Sequence, residues 1–199
     1  MKTAVIFDAD GVVIRSRPFT FALEREFGIP SSIFIPFFTN QFPACLIGRA
    51  DLKLELASFL PKTPWRKSVD EFISFWFESE NEPDPHLIEA IQVLRNEGYV
   101  TGMGTNQERY RMDFMRSSMG FDDVFDHVFA SCDLGHRKPA SGYFEKVSQI
   151  LKLTEVERIV FFDDRFENVQ AAIDSGWEAY LYTSIDDLKS WKERFANQG

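Results

Sequence analysis

Residues 4–14 read AVIFDADGVVI, an apolar run that ends at two aspartates and a glycine. A short, continuous apolar run is typical of a strand that is buried on both faces, as in a parallel sheet. Asp8 and Asp10 are two positions apart, so an extended chain places both carboxylates on the same face. Like charges repel at that distance, and an ordinary strand end gains nothing from the pair. The stretch therefore predicts a buried strand whose two terminal carboxylates have a chemical use.

Four further apolar runs predict the remaining strands, at residues 99–104, 127–130, 159–162 and 179–182. Apolar residues at helical spacing separate these runs. They predict helices over residues 85–97, 109–119, 141–151, 167–175 and 186–196. Strands that alternate with helices favour an α/β fold, in which a Rossmann-like parallel sheet is flanked by helices with right-handed crossovers.

One long stretch breaks this alternation. Residues 16–82 are rich in phenylalanine and punctuated by prolines, and their patterns predict helices over 19–27, 51–59 and 68–79. We interpret residues 16–82 as a small helical domain inserted after the first strand. Residues 1–15 and 83–199 then form the α/β core. A chain of 199 residues that is 44% hydrophobic is long enough for one well-buried core with such an insertion.

Composition narrows the partners and the compartment. The net charge is −9 and no basic face is evident, which argues against nucleic acid and anionic membrane surfaces as partners. No apolar run approaches the ~18 residues of a membrane span, and the N-terminus lacks a signal-peptide pattern. Cys45 and Cys132 are far apart and lack zinc-ligand spacing, which indicates reduced, inert thiols. We therefore predict a cytoplasmic protein.

Polar residues collect where the predicted strands end, which is where open α/β sheets bind ligands. These residues are Asp8 and Asp10, Thr105 and Asn106, Asp163 and Asp164, together with Lys138 in the loop after the third strand. Several carboxylates without histidines or thiolates make a hard-oxygen site that suits Mg²⁺ better than Zn²⁺. Such a cation offsets the repulsion between Asp8 and its neighbours. A hydroxyl, a backbone amide and an ammonium beside it would hold a phosphoryl group.

The same residue types predict a reaction. A carboxylate can attack phosphorus and form an aspartyl-phosphate. A second carboxylate two residues further on can protonate the leaving oxygen and then deprotonate the water that hydrolyses the intermediate. That role requires a carboxyl pKa far above the ~3.9 of free aspartate.

Each of these motifs alone also has an ordinary structural explanation. An Asp-x-Asp-Gly sequence occurs in solvated turns, and a Lys-Pro pair occurs in surface loops. Asp163 and Asp164 could cap the helix that begins near Glu167. The combination of all of them, in this order and at successive strand ends, favours a functional site.

With these motifs the sequence resembles the haloacid dehalogenase-like hydrolase superfamily over essentially its whole length. The matching segments are DADGV at residues 8–12, GMGTN at 102–106, Lys138 followed by Pro139, and FFDDRFEN at 161–168. The resemblance implies that Asp8 is the nucleophile and Asp10 the general acid and base. It also implies that Thr105, Asn106 and Lys138 bind the phosphate.

The resemblance further implies a magnesium site and its supporting residues. A carboxylate oxygen of Asp8, the backbone carbonyl of Asp10 and the carboxylate of Asp164 would bind the metal directly. Asp163 would bind it directly or through water. Asn168 would orient Lys138, and Gly11 would support the first motif.

The helical insertion is similar to the small helical cap, of the C1 type, that closes over the site in one branch of this superfamily. Caps of this kind exclude water and select the substrate. Phe19, Arg49 and Lys53 are the candidate cap residues that would reach the site. The resemblance implies a Mg²⁺-dependent phosphomonoesterase, a monomer or homodimer, acting on a small phosphorylated metabolite such as a sugar phosphate.

Two alternatives stay open. A phosphosugar mutase of the same architecture would return the phosphoryl group to a second hydroxyl, and a non-catalytic binding or regulatory protein could use the same scaffold. A dehalogenase is disfavoured because it needs neither an equivalent of Asp10 nor a metal cluster.

Overall fold

The computed structural model describes residues 2–152 and 154–196, which form a five-stranded sheet with helices around it. The strands are β1 (Lys2–Phe7), β2 (Val100–Thr105), β3 (His127–Ala130), β4 (Val156–Asp163) and β5 (Glu178–Leu181). Neighbouring strands pair in parallel in the order β3-β2-β1-β4-β5. The predicted α/β fold with a Rossmann-like parallel sheet is therefore confirmed.

The helices, in chain order, are α1 (Phe19–Phe27), α2 (Phe42–Cys45), α3 (Leu52–Phe59), α4 (Val69–Ser79), α5 (Pro85–Asn96), α6 (Arg109–Ser117), α7 (Phe121–Val124), α8 (Ser131–Leu134), α9 (Ser141–Lys152), α10 (Phe166–Asp174) and α11 (Ile185–Ala196). The long helices lie where the sequence predicts them. The four-residue helices α2, α7 and α8 were not predicted, because one turn is too short to show a helical period.

Apolar layers cover both faces of the sheet. Val5 and Phe7 of β1 belong to a cluster with residues of α5, α6 and α11. Ala4 and Ile6, which point to the opposite face, belong to a second cluster with residues of α9 and α10. All four side chains are at most 1% exposed. This two-sided burial is the reason that β1 reads as a continuous apolar run.

The inserted residues 16–82, called the helical segment below, pack around an aromatic cluster of their own. Phe19, Phe34 and Phe72 are buried in it, and the rings of Phe34 and Phe72 stack with centroids 5.3 Å apart. Helix α3 begins after Asp51, whose side chain accepts from Leu54 N, and α4 begins after a capping box at Ser68. Local capping thus sets where these helices start, while aromatic packing holds them together.

The chain enters and leaves the helical segment along two adjacent extended stretches, which form an isolated antiparallel bridge between Ile14 and Pro83. Arg15 N donates to Glu82 O at 3.0 Å, and Asp84 N donates to Val13 O at 2.8 Å. The side chain of Asp84 then caps α5. The division between an α/β core and a domain of residues 16–82 remains a prediction, and it places its boundaries at these paired connections.

Two further features bear on the compositional predictions. Cys45 and Cys132 are free, buried thiols, and burial raises the pKa of each to about 12. Within the described ranges, no helix combines the length and the apolar character that crossing a bilayer requires.

Candidate active site

The strand order places the site at the centre of the sheet. From β1 the chain moves outward to β2 and β3, and β4 then lies on the other side of β1. Such a reversal opens a crevice at the carboxyl ends of the strands. Asp8 follows β1, Thr105 ends β2 and Asp163 ends β4. The exposed fractions of these residues are 7%, 1% and 0%, so all three lie at the buried bottom of the crevice.

Three carboxylates and one ammonium meet in this crevice. Asp8, Asp163 and Asp164 each offer an oxygen atom, and these atoms lie within 4.8 Å of one another. Lys138 Nζ lies 2.8 Å from Asp8 Oδ1 and 2.6 Å from Asp163 Oδ2. Lys138 is only 2% exposed. The structure therefore brings together four side chains that lie up to 156 positions apart in the chain.

The charges of this group fit a divalent cation. When ionised, three carboxylates against one ammonium leave an excess of two negative charges. Burial raises the pKa of Asp8, and the neighbouring charge of Asp163 raises it further. Burial and Asp163 also raise the pKa of Asp164. A Mg²⁺ ion would balance the excess charge, and carboxylate oxygens are the ligands that it prefers.

Asn168 supports this group through Asp163. Its Nδ2 donates to both carboxylate oxygens of Asp163, at 2.9 and 3.1 Å, and Arg165 N donates to Asp163 Oδ1 at 2.9 Å. The role of Asn168 in orienting Lys138 stays a prediction, and the contact that would serve it runs through Asp163, which in turn holds Lys138. The reason is geometric: Asn168 lies in the first turn of α10, which begins three residues after Asp163.

Gly11 is required by a close approach. Its φ is +89°, and a Cβ added there would lie 2.2 Å from Asp164 Oδ2. Any larger residue would both strain the backbone and collide with a predicted metal ligand. The glycine of the DADGV segment therefore has a definite structural role beside Asp164.

Asp10 faces an open cavity and is held by a residue that the sequence analysis missed. Gln107 Nε2 donates to Asp10 Oδ2 at 2.5 Å. Although Asp10 is exposed to the cavity, desolvation by the surrounding protein raises its pKa, while the charges of Arg111 and Lys138 oppose this shift. A raised pKa is the direction that a general acid requires. The only sequence signal for Gln107 was its position directly after the polar pair that ends β2.

Asn106 fixes the loop that carries Lys138. Its Nδ2 donates to Lys138 O at 2.9 Å, and Lys138 N donates to Asn106 Oδ1 at 2.8 Å. The side chain is thus occupied at both ends. That Asn106 binds phosphate stays a prediction, and with the side chain engaged the backbone amide is the group that would do so.

A cavity of about 550 Å³ lies between the strand ends and the helical segment. Its floor carries Asp10, Gly11, Asn106, Gln107 and Asp164, and Phe19 is one of the residues that line its other side. The candidate cap residues Arg49 and Lys53 do not line it. Arg49 lies at a separate cleft beside Tyr110, and Lys53 pairs with Asp70 at 2.7 Å.

Glu80 and Arg111 also line the cavity, and sequence reasoning identified neither of them. Arg111, on α6, donates to Phe77 O at 2.8 Å and to Glu80 O at 3.1 Å, both at the end of α4. Burial and the charge of Asp10 raise the pKa of Glu80 to about 7. Arg111 therefore joins the helical segment to the α/β part next to Asp10.

The fold and this group of residues define a class of hydrolases. The family model of haloacid dehalogenase-like hydrolases matches residues 2–176, and the chain belongs to that family.

Two fungal proteins match parts of the chain. The sesquiterpene phosphatase astK of Aspergillus oryzae is 33% identical over 90 residues, which cover 45% of this chain and 45% of the phosphatase. The drimenol cyclase drtB of Aspergillus calidoustus is 35% identical over 66 residues, which cover 33% of this chain and 12% of the cyclase. The matched segments thus span less than half of either relative.

Solved structures share the fold at low identity. A haloacid dehalogenase family enzyme from Bacteroides thetaiotaomicron, in complex with magnesium and inorganic phosphate, has a TM-score of 0.74 and 16% identity, with 92% of this chain and 95% of that chain covered. An L-2-haloacid dehalogenase from Xanthobacter autotrophicus has a TM-score of 0.65 and 20% identity, with 95% and 81% covered. These likenesses establish the fold.

Proposed function

We propose that this hydrolase is a Mg²⁺-dependent phosphomonoesterase that acts on a small phosphorylated metabolite through an aspartyl-phosphate on Asp8. The observation that carries the proposal is the meeting of Asp8, Lys138 and the Asp163–Asp164 pair. Asp164 of this group lines the same cavity as Asp10. Membership of the hydrolase family and a partial match to a protein named as a phosphatase support it.

In the first half of the reaction, a carboxylate oxygen of Asp8 attacks phosphorus and the ester P–O bond breaks. Asp10 gives its proton to the departing alcohol oxygen, and the phosphoryl group stays on Asp8. Lys138, the Thr105 hydroxyl and the backbone amide of Asn106 would hold the phosphoryl oxygens. When bound by the three carboxylates, Mg²⁺ supplies the positive charge that balances the phosphate and the nucleophile.

In the second half, water attacks the phosphorus of the aspartyl-phosphate while Asp10 takes up its proton. The Asp8 carboxylate is released together with inorganic phosphate. Gln107 holds the carboxyl of Asp10 in place for both proton transfers, since its amide donates to one oxygen and leaves the other free. The helical segment above the cavity limits the access of bulk water.

The test is hydrolysis of a generic phosphate monoester with and without Mg²⁺. We expect activity that requires the metal and that falls about 10³-fold or more in Asp8→Asn, as removal of a nucleophile does elsewhere. Asp186→Asn is the matched control, because Asp186 is an exposed aspartate whose one ion pair within the described residues is with Lys189. Acid-trapped phosphoprotein that is present in the wild type and absent in Asp8→Asn would identify the intermediate. Metal-dependent turnover that persists in Asp8→Asn would contradict the covalent mechanism.

A further inference from the structure

The cavity is divided into a polar floor and an aromatic roof. The floor residues belong to the strand ends of the sheet, and the roof is made by Phe19, Phe38, Phe42 and Trp76 of the helical segment. The ring centroids of Phe38 and Phe42 lie 5.2 Å apart, and those of Phe38 and Trp76 lie 5.5 Å apart. The ring centroid of Trp76 also lies 5.4 Å from that of Phe42 and 4.7 Å from that of Phe19. The roof is therefore one continuous aromatic surface.

Polar groups between floor and roof are already paired within the protein. The Glu80 carboxylate accepts from Phe19 N at 2.8 Å and from Trp76 Nε1 at 2.9 Å. Ser16 Oγ donates to Glu80 O at 3.1 Å. Two guanidinium nitrogens of Arg111 donate to the backbone carbonyls of Phe77 and Glu80 at the end of α4. These contacts hold the roof in place and engage both carboxylate oxygens of Glu80 and two nitrogens of Arg111. Thr20 adds one further hydroxyl to the lining of the cavity.

Two polar side chains of the floor are also hydrogen-bonded within the protein. Asn106 uses both ends of its amide on the backbone of Lys138, and the Gln107 amide donates to Asp10. The other polar groups at the strand ends are the ones that we assign to phosphoryl transfer. A polyhydroxylated organic group would lose hydrogen bonds to water on entering the cavity and would regain few of them at the aromatic roof. Its binding therefore carries an unfavourable desolvation free energy.

We propose that the substrate is the monophosphate ester of an apolar alcohol, with the phosphoryl group on the strand-end floor and the hydrocarbon against the aromatic roof. The proposal rests on the phosphomonoesterase function proposed above. It assigns Phe38, Phe42 and Trp76 as the residues that select the substrate. Burial of hydrocarbon against these rings is the source of the selectivity.

The volume of the cavity sets the range of hydrocarbon chain lengths that the site should accept. About 550 Å³ lies within the ~300–1,000 Å³ of pockets that enclose drug-sized ligands. Each methylene that leaves water for an apolar surface improves binding about fourfold. The gain should therefore continue over several methylenes and stop once the cavity is filled.

The test compares unbranched alkyl phosphates from ethyl to decyl, below the concentrations at which they aggregate, with glycerol and hexose phosphates. Prenyl and aryl monophosphates are separate arms, which distinguish a branched chain or a ring from a linear one. We expect kcat/KM to rise about fourfold per methylene and then to level off. A flat series, or faster turnover of hexose phosphates than of every apolar ester, would overturn the proposal.

Variants locate the selectivity. Phe42 is only partly buried, so Phe42→Ala should flatten the dependence on chain length. Phe21→Ala is the matched control, because Phe21 lies on the same segment, is 60% exposed and is not among the residues that line the cavity. The control should keep the wild-type slope. An unchanged slope in Phe42→Ala would contradict the assignment of the roof.

A binding measurement separates this proposal from the proposed reaction. Alkylphosphonates cannot be hydrolysed, so calorimetry with the Mg²⁺-loaded wild type reports the binding of their chains alone. Tighter binding and a more negative heat-capacity change with each added methylene would support the apolar site even if no ester were hydrolysed. Affinity independent of chain length would overturn it even if hydrolysis were confirmed.

Discussion

Replacement of Lys138 by methionine removes the charge that two buried carboxylates share and keeps an unbranched side chain. Lys138 Nζ lies 2.8 Å from Asp8 and 2.6 Å from Asp163. The lysine is 2% exposed and Asp163 is fully buried, so water cannot take the place of the ammonium. The variant is therefore expected to leave an uncompensated negative charge inside the protein.

Breaking a buried ion pair by removing one partner costs about 3–5 kcal/mol. We expect Lys138→Met to lose that much unfolding free energy at pH 8 without divalent cations. The loss should depend on pH, because burial raises the pKa of Asp8 and Lys138 opposes that shift. A carboxyl with a raised pKa stabilises the fold at low pH and loses this contribution as the pH rises through that pKa. Because burial already raises this pKa to about 8 in the wild type, both proteins should lose stability alike up to about pH 8. Without Lys138 the pKa of Asp8 rises further, so above pH 8 the variant should keep losing up to ~1.4 kcal/mol per pH unit for one proton while the wild type levels off.

Urea denaturation at pH 8 and pH 9.5, in EDTA and in Mg²⁺, measures these quantities. Free Mg²⁺ at a hundred times its Kd should restore about 2.7 kcal/mol. Lys189→Met is the control, because Lys189 is 62% exposed in its pair with Asp186 and an exposed pair contributes about 0–1 kcal/mol. A Lys138→Met protein as stable as the wild type at pH 8, or one equally destabilised at both pH values, would contradict a buried charge shared by Asp8, Lys138 and Asp163.

Three further predictions concern Gly11, Glu80 and Ser68. Gly11→Ala should weaken Mg²⁺ binding about 10-fold or more in a calorimetric titration, because its Cβ would press on Asp164; an unchanged affinity would count against the predicted metal site. Burial raises the pKa of Glu80 from 4.5 to about 7, so its contribution to stability is present below pH 4.5 and is lost as the pH rises through about 7. Glu80→Gln should remove this loss, and urea curves at pH 5 and pH 8 as different as those of the wild type would argue against it. Ser68→Ala removes the cap that pairs with Glu71 and should lower the unfolding free energy by about 1 kcal/mol; denaturation midpoints measure it, and no change would mean that the capping box adds little.

Much of the fold could be predicted because local signals agree with the global arrangement. The apolar run of β1 could be recognised as a buried strand because both of its faces are covered by apolar residues. The predicted helices at residues 51–59 and 68–79 begin at the residues that cap α3 and α4 in the structure, Asp51 and Ser68. The residues that follow β1, β2 and β4 could be grouped into one site because parallel strands end at the same edge of a sheet.

Other parts of the site could not be predicted, because they depend on contacts between distant segments. No local pattern distinguishes Arg49, which lies away from the cavity, from Arg111, which lines it. The contact from Gln107 to Asp10 spans 97 positions of the chain. Glu80 is an unremarkable acidic residue until the end of α4 is placed above Asp10, where burial raises its pKa.

The alternation of strands and helices, the order of the acidic motifs and the strand ends at which they lie follow from the amino-acid sequence alone. These features depend on side-chain periodicity and on residues within a few positions of one another. The tertiary structure was needed to show which helical-segment residues face the site, that Asn168 donates to Asp163, and that the cavity has an aromatic roof. Those features arise from the packing of a helical segment whose aromatic residues all look alike in sequence, and packing selects which of their faces remain open.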